Sequence, residues 1–164
     1  MSERSEFRRS GGGGVVEQAV ELPAEQDTVA YGEELGRKLR AGDLVLLAGP
    51  LGAGKTVLTR GIAKGLGVSG RVSSPTFVLA RVHPAGERGV PLVHVDAYRL
   101  GGDLAQLDDL DLDTDLEASA VVVEWGEGSA ERLSEDYLVV RLQRRDDDVR
   151  IATLEPHGGW KERV

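Results

Sequence analysis

The stretch GPLGAGKT, Gly49–Thr56, decides the fold of this 164-residue chain. It follows the apolar run LVLLA and precedes KTVLTRGIAKGLG, in which apolar residues recur at helical spacing. A strand, a G-x-x-x-x-G-K-[ST] loop and a helix in this order are the context of a phosphate-binding loop (P-loop). Its glycines let consecutive backbone N–H groups surround an anion, and the helix N-terminus adds partial positive charge. The sequence therefore predicts a phosphate site after a buried strand.

Four side chains are candidates for the chemistry at this site. Lys55 would reach the β- and γ-phosphates of a nucleotide, and the hydroxyl of Thr56 would bind Mg²⁺. Asp96 ends the apolar run PLVHVD, and Glu124 ends AVVVE. Because ligands of open α/β sheets bind at the carboxyl ends of the strands, we expect both acids to bind the metal or activate water there. The predicted catalytic residues are Lys55, Asp96 and Glu124, and the predicted metal ligands are Thr56, Asp96 and Glu124.

Strand-like and helix-like segments alternate along the rest of the chain. Residues 15–22 (VVEQAVEL) alternate weakly and predict an edge strand, and TVAYGEELGRKL predicts a helix with Asp27 and Thr28 as capping candidates. The helix after the P-loop is expected to end at Gly65 or Gly67. TFVLARVH with VPLVHVD, and YLVVRLQRR with VRIATLE, predict two hairpins.

These elements predict an α/β fold of the P-loop NTPase type: a mixed, mainly parallel sheet flanked by helices, with antiparallel hairpins. The expected organisation is a disordered tail at 1–14, a P-loop ATPase domain at 15–156 and a C-terminal tail at 157–164. His94 lies on a buried-type strand and is expected to be a core residue. The acidic segment 103–117 is expected to be a solvated helix face, with partner docking as the alternative.

Composition limits the classes of function. The net charge of −8 argues against a general nucleic-acid surface, so direct binding of DNA or RNA is not expected. The absence of cysteine excludes disulfides, zinc–thiolate sites and thiol catalysis. No run approaches the roughly 20 apolar residues of a membrane span, and the N-terminus lacks the apolar core of a signal peptide. We therefore expect a cytoplasmic protein without membrane contact.

Nucleotide identity has a weaker signal. Guanine-specific P-loop switches use an [NT]KxD motif, but this chain has no asparagine and no lysine followed two positions later by aspartate. ATP is therefore expected rather than GTP. The segment RVSSPTFVLA places Ser74 and Thr76 around Pro75, which would suit either a switch loop that reports on the γ-phosphate or a plain hairpin lead-in.

Four motifs together, GPLGAGKT, SPTF, HVDAYRL and VEW, resemble the TsaE (YjeE) family of bacterial P-loop ATPases. The resemblance covers roughly residues 20 to 155. It implies a slow, Mg²⁺-dependent ATPase that acts with the TsaB and TsaD proteins in threonylcarbamoylation of adenosine 37 in tRNA (t6A modification). The tRNA would be contacted only indirectly, through the complex.

Carried over position by position, the resemblance also implies a set of nucleotide contacts. Thr76 would be the switch-like hydroxyl, and Trp125 a neighbour of the site. The stretch LPAEQDT matches the family's N-terminal segment, which implies that Pro23 to Thr28 border the adenine. This chain departs from the family at Gly126, where members often have proline. The positions implied to bind the phosphates or flank them are Gly49, Gly52, Ala53, Gly54, Lys55, Thr56 and Val57.

Two other classes of protein share these residues. A small-molecule P-loop kinase would need an acceptor pocket and an arginine-bearing lid, and no segment here has room for such an insertion. A nucleotide-sensing partner protein without significant turnover would use the same loop and acids, because switching and slow hydrolysis have the same binding requirements. Comparing partner assembly with ATP and with a non-hydrolysable analogue discriminates the second class from an ATPase.

Overall fold

The computed structural model describes residues 19–50, 52–68, 80–96, 117–124 and 134–163. The tail at 1–14, Thr76, Trp125 and nearly all of the acidic segment lie outside these ranges, as does the side chain of Asp96. The described elements are β1 (Ala19–Leu22), α1 (Glu25–Lys38), β2 (Leu44–Ala48), α2 (Lys55–Leu66), β3 (Ala80–His83), β4 (Leu92–Asp96), β5 (Ala120–Glu124), β6 (Tyr137–Arg144), β7 (Arg150–His157) and a short 3-10 helix (Gly158–Glu162).

The strands form one seven-stranded sheet in the order β1-β7-β6-β2-β5-β4-β3. The four central strands β6, β2, β5 and β4 are parallel, and the outer pairings are antiparallel. All five residues of β2 and of β5 are buried, as expected for central strands covered on both faces. The predicted mixed α/β fold and both predicted hairpins are confirmed. The carboxyl ends of the central strands meet at one edge of the sheet, where β2 leads into the P-loop.

Helices α1 and α2 pack backbone against backbone. Gly32 and Gly36 on α1 face Gly61 and Gly65 on α2, and a Cβ added at any of the four would overlap a carbonyl oxygen of the other helix. Approach this close brings Cα–H groups against carbonyl oxygens, which adds weak hydrogen bonds to the van der Waals contact. The predicted end of α2 is confirmed at Gly67, which has a φ of 79° in the left-handed region.

The start of α1 differs from the prediction. The helix begins at Glu25 with Ala24 as its N-cap, so Asp27 and Thr28 lie inside the first turn. The carboxylate of Asp27 accepts a hydrogen bond from the backbone N–H of Ala24 at 2.8 Å. The prediction of Asp27 and Thr28 as N-cap residues was therefore wrong by one turn. Asp27 lies at the third helical position, and its side chain reaches back to the backbone of the N-cap residue.

Two further contacts close the fold around the helices. The guanidinium of Arg88, in the β3–β4 hairpin, donates to the carbonyl oxygens of Gly36, Leu39 and Gly65, at the ends of both helices. Trp160, in the segment expected to be a tail, is 1% exposed within the 3-10 helix and belongs to the core. Among the described residues, neither helix has the length and apolar character needed to cross a membrane.

Candidate functional site

The P-loop requires glycine at both glycine positions of its motif, Gly49 and Gly54. Gly49 has a φ of 147°, and a Cβ there would overlap the carbonyl oxygen of Leu142 on the neighbouring strand β6. Gly54 has a φ of 104° and is the N-cap of α2, whose first helical hydrogen bond runs from Leu58 N–H to the Gly54 carbonyl at 2.9 Å. Both φ values are ones that L side chains rarely adopt. The backbone therefore needs glycine at Gly49 and Gly54 for conformational reasons, independent of any ligand.

Lys55 lies folded over this loop. Its side chain is buried, and its ammonium donates to the carbonyl oxygens of Gly49 at 2.7 Å and Pro50 at 2.9 Å. Thr56 is half-buried in the first turn of α2, where its backbone N–H is among those with no partner inside the helix. The loop thus combines a lysine charge, helix-terminal N–H groups and a hydroxyl, the donor set that a polyphosphate requires.

Glu124 and Asp96 are neighbours at the carboxyl edge of the sheet. Glu124, the last residue of β5, is opposite Leu47 of β2 on one side and opposite Asp96 of β4 on the other. The Glu124 carboxylate is almost fully buried, and its Oε2 is hydrogen-bonded to Nε2 of His94. The structure thus brings the backbones of the two predicted acids together, Glu124 on the strand next to the one that leads into the P-loop and Asp96 on the strand beyond it.

A pocket with about 340 Å³ of empty space opens beside the loop. It brings together four predicted nucleotide residues: Pro23 and Thr28 from the start of α1, and Gly54 and Val57 from the P-loop and α2. The remaining residues that line the pocket are Leu22, Ala24, Glu25, Asp148 and Arg150.

Arg150 is a cationic pocket residue that sequence reasoning missed. It begins β7, where its backbone is opposite Leu22 of β1, and its Nε would lie 3.8 Å from a Cβ placed on Gly54. The β6–β7 turn orients it: Asp148 adopts a φ of 69°, and its carbonyl accepts a hydrogen bond from the Arg150 guanidinium at 2.7 Å. Arg144, paired with Asp148 at 2.6 Å, approaches Gly52 in the same way. Two guanidinium groups therefore flank the P-loop.

The described residues fit a magnesium ion of the kind that P-loop proteins bind. Within these ranges no group of three or more histidine, aspartate or glutamate side chains could form a protein-only metal site. Mg²⁺ is usually held by one or two carboxylates together with phosphate oxygens and water, rather than by an all-protein cage. A buried carboxylate at Glu124 beside the strand that leads to the Thr56 hydroxyl is a donor set of that kind.

Comparisons with known proteins match most of the chain to one family. Residues 22–152 match the family model described as "Threonylcarbamoyl adenosine biosynthesis protein TsaE". A Streptomyces coelicolor protein named "tRNA threonylcarbamoyladenosine biosynthesis protein TsaE" is 59% identical over 75% of this chain and 86% of its own length. A Bacillus subtilis protein of the same name is 35% identical over 84% of each chain. The crystal structure of YdiB from Bacillus subtilis superposes with a TM-score of 0.73, at 29% identity and 91% coverage of both chains.

Proposed function

This chain belongs to the TsaE family, and on that basis we propose that it is a slow, Mg²⁺-dependent ATPase of tRNA threonylcarbamoyladenosine biosynthesis. Its partners would be the TsaB and TsaD proteins, which would carry out the modification of adenosine 37 and make most of the contacts with tRNA. The ATPase would supply a nucleotide-driven conformational step to that complex. A net charge of −8 supports this division of labour between the ATPase and its partners, since a negatively charged protein attracts the tRNA polyanion only weakly.

The observation that carries the proposal is the convergence of three elements at one edge of the sheet. The P-loop follows β2, and Glu124 ends the adjacent strand β5. The pocket between the start of α1, the P-loop and the β6–β7 turn opens directly beside Gly54. A triphosphate in the loop would therefore have a carboxylate on one side and a pocket for the nucleoside on the other.

Each residue has a distinct role in this proposal. The ammonium of Lys55 neutralises phosphate charge, and the N–H groups from Gly52 to Thr56 bind the phosphate oxygens. Pro23 and Thr28, which line the pocket together with Arg150, would border the adenine. Val57, which also lines the pocket, contributes apolar contact. Thr76 and Trp125 lie outside the described ranges, and their roles as the switch-like hydroxyl and a neighbour of the site remain predictions.

Thr56 and Glu124 would hold the magnesium ion, which when bound neutralises charge on the β- and γ-phosphates. Asp96 would orient the attacking water and accept its proton. The family resemblance implies this division of roles, and the backbone of Asp96 directly opposite Glu124 supports it by bringing both acids to one edge of the sheet. The same arrangement allows Asp96 to act as a further metal ligand.

Reconstitution with TsaB, TsaD and tRNA tests the proposal. We expect slow release of ADP by the protein alone, a changed rate when both partners are added, and a complex whose affinity depends on the nucleotide. Binding of the isolated protein to tRNA should be weak and should fall steeply with salt. Tight tRNA binding at physiological salt, or repeated modification cycles with this protein omitted, would contradict the proposal.

A non-hydrolysable ATP analogue separates the ATPase from a nucleotide-sensing protein. If hydrolysis drives the step, the analogue should support assembly of the complex but stop repeated cycles of modification. If binding alone suffices, the analogue should support as many cycles as ATP does. A small-molecule kinase would instead release ADP in step with a phosphorylated metabolite.

A further inference from the structure

His94 contacts the predicted metal ligand Glu124 from inside the sheet. His94 lies on β4 two residues before Asp96, and its backbone is opposite Val122 of β5. Its ring is therefore diagonal to Glu124 on the same face of the sheet, a separation that a long side chain spans. The ring is fully buried, and Nε2 is hydrogen-bonded to the Glu124 Oε2.

The hydrogen bond with His94 compensates for the hydration that the buried Glu124 carboxylate loses. A carboxylate removed from water costs free energy unless hydrogen bonds replace its hydration. Within the described part of the chain, Glu124 has one hydrogen-bond partner, the Nε2 of His94. The second carboxylate oxygen, Oε1, accepts no hydrogen bond from the described residues. The two oxygens are therefore in different environments, one occupied by His94 and one available to another ligand.

The other ring nitrogen of His94 has no visible competing role. Nδ1 is buried, and no described residue hydrogen-bonds to it. If His94 were only a core residue, both of its ring nitrogens would be expected to make hydrogen bonds, since buried polar groups are almost always paired. The contact with Glu124 is thus the polar interaction that places this ring in an otherwise apolar strand.

We propose that His94 is a positioning residue: Nε2–H holds Oε2 of Glu124 so that Oε1 is presented to the metal bound with the nucleotide. This inference rests on the proposed function, because it needs Glu124 to be a metal ligand. Partners that orient metal ligands typically change metal affinity ten- to a hundredfold when they are removed. His94 would act entirely through Glu124 and would not touch substrate.

Manganese affinity tests this role directly. The fraction of Mn²⁺ bound to the protein with ADP is measured by electron paramagnetic resonance, in which the free ion gives the stronger signal. His94→Leu removes the donor with little change in volume, and we expect it to weaken Mn²⁺ binding roughly ten- to a hundredfold. His94→Gln can place an amide N–H near the original Nε2, so it should restore most of the affinity. ADP affinity without metal should be unchanged in both.

His83 provides the matched control. It is also a buried histidine on a neighbouring strand, with an Nε2 that no described residue hydrogen-bonds. Burial, together with the nearby His94 and Arg81, lowers the pKa of His83. His83→Leu should leave Mn²⁺ affinity unchanged. Unchanged Mn²⁺ affinity in a folded His94→Leu protein would overturn the positioning role, and so would equal losses in the leucine and glutamine variants.

A double-mutant cycle with Glu124 distinguishes failure of this inference from failure of the proposed function. If His94 acts through Glu124, His94→Leu should have no further effect on Mn²⁺ affinity in a Glu124→Gln background. If Glu124→Gln alone leaves Mn²⁺ affinity intact, the metal assignment itself is wrong. If Glu124→Gln weakens binding but His94→Gln and His94→Leu do not, the metal assignment survives and the positioning role fails. Should His94→Leu not fold, His94→Met, which also lacks a hydrogen-bond donor, replaces it in the comparison with His94→Gln and in the cycle.

Discussion

The ammonium of Lys55 lies 2.7 Å from the carbonyl oxygen of Gly49, so a hydrogen bond joins the lysine of the P-loop to the first glycine of the motif. A second bond, to Pro50 at 2.9 Å, holds the same ammonium. These bonds place a buried positive charge over the loop, at the point where β2 ends. Lys55 therefore shapes the loop as well as supplying charge to a phosphate.

Replacing Lys55 by alanine should abolish most nucleotide binding or hydrolysis without unfolding the protein. Hydrogen bonds to charged groups contribute about 1.5–3 kcal/mol, which corresponds to roughly a ten- to hundredfold loss in kcat/KM for ATP. Lys64→Ala is the matched control, because Lys64 lies on the same helix but is 66% exposed. An unchanged kcat/KM in Lys55→Ala would contradict the P-loop assignment.

The roles of Asp96 and Glu124 should be distinguishable when nucleotide binding and hydrolysis are measured independently. Glu124→Gln should weaken Mg²⁺-dependent nucleotide binding, because it removes a charged metal ligand. Asp96→Asn should retain ATP binding but hydrolyse ATP slowly, because it removes the proton acceptor from the chemical step. Calorimetric titration with nucleotide, with and without Mg²⁺, and single-turnover hydrolysis report the two effects. The reverse pattern would show that the roles are exchanged.

Arg150→Ala should lower nucleotide affinity more than removal of an ordinary surface arginine. Arg150 lines the pocket beside Gly54, where its guanidinium closes one wall. Loss of a charge-assisted hydrogen bond or of packing against the ligand predicts a fall in affinity of about tenfold. Arg37→Ala is the control, since Arg37 is 60% exposed and pairs with Glu33 on the surface of α1. Equal nucleotide affinities in the two variants would place Arg150 outside the nucleotide site.

Gly65→Ala should destabilise the protein although alanine is the better helix former. In a free helix this change is worth about 1 kcal/mol in favour of alanine. Here the new Cβ would overlap the carbonyl oxygen of Glu33 on α1, and overpacking of this kind typically costs about 1–3 kcal/mol. Urea denaturation should show a lower free energy of unfolding. A stabilised Gly65→Ala protein would mean that the helices do not pack as closely as described.

Glu155 should contribute to stability in a defined range of pH. Burial tends to raise its pKa, but hydrogen bonds from His157 at 3.0 Å and Arg141 at 3.1 Å outweigh burial, so the pKa lies below its usual value of 4.5. A carboxylate with a lowered folded-state pKa stabilises the fold above the unfolded pKa, and this contribution disappears as the pH falls through the folded pKa. Glu155→Gln should therefore flatten the loss of unfolding free energy below about pH 4.5. The exposed Glu162→Gln should leave that slope unchanged.

Local patterns were sufficient to predict most of the elements and the P-loop. β2 and β5 were visible as unbroken apolar runs, and the end of α2 as Gly67, because each signal lies within a few residues of the feature it specifies. The start of α1 was misplaced because Asp27 acts on a backbone group three residues earlier, which a pattern of side-chain types does not reveal.

The missed site residues depend on pairings between distant parts of the chain. Arg150 reaches the pocket because β7 pairs with β1, which places Leu22 opposite it. No local motif marks that pairing. His94 carried a usable signal, since strand periodicity places it on the same face as Asp96, but its contact with Glu124 depends on β4 and β5 being neighbours.

The glycines between α1 and α2 also determine which parts of the pocket can move. Pro23 and Thr28 stand at the start of α1, and Gly54 stands at the start of α2, so these two walls belong to one interlocked helix pair. Sliding one helix along the other would drive backbone into backbone at four positions, and the Arg88 guanidinium ties the far ends together. The β6–β7 turn, which carries Asp148 and Arg150, is held to β1 by the ion pair between Arg145 and Glu21 at 2.6 Å. The walls of the pocket are therefore fixed before a nucleoside enters, which lowers the conformational entropy that binding has to cost.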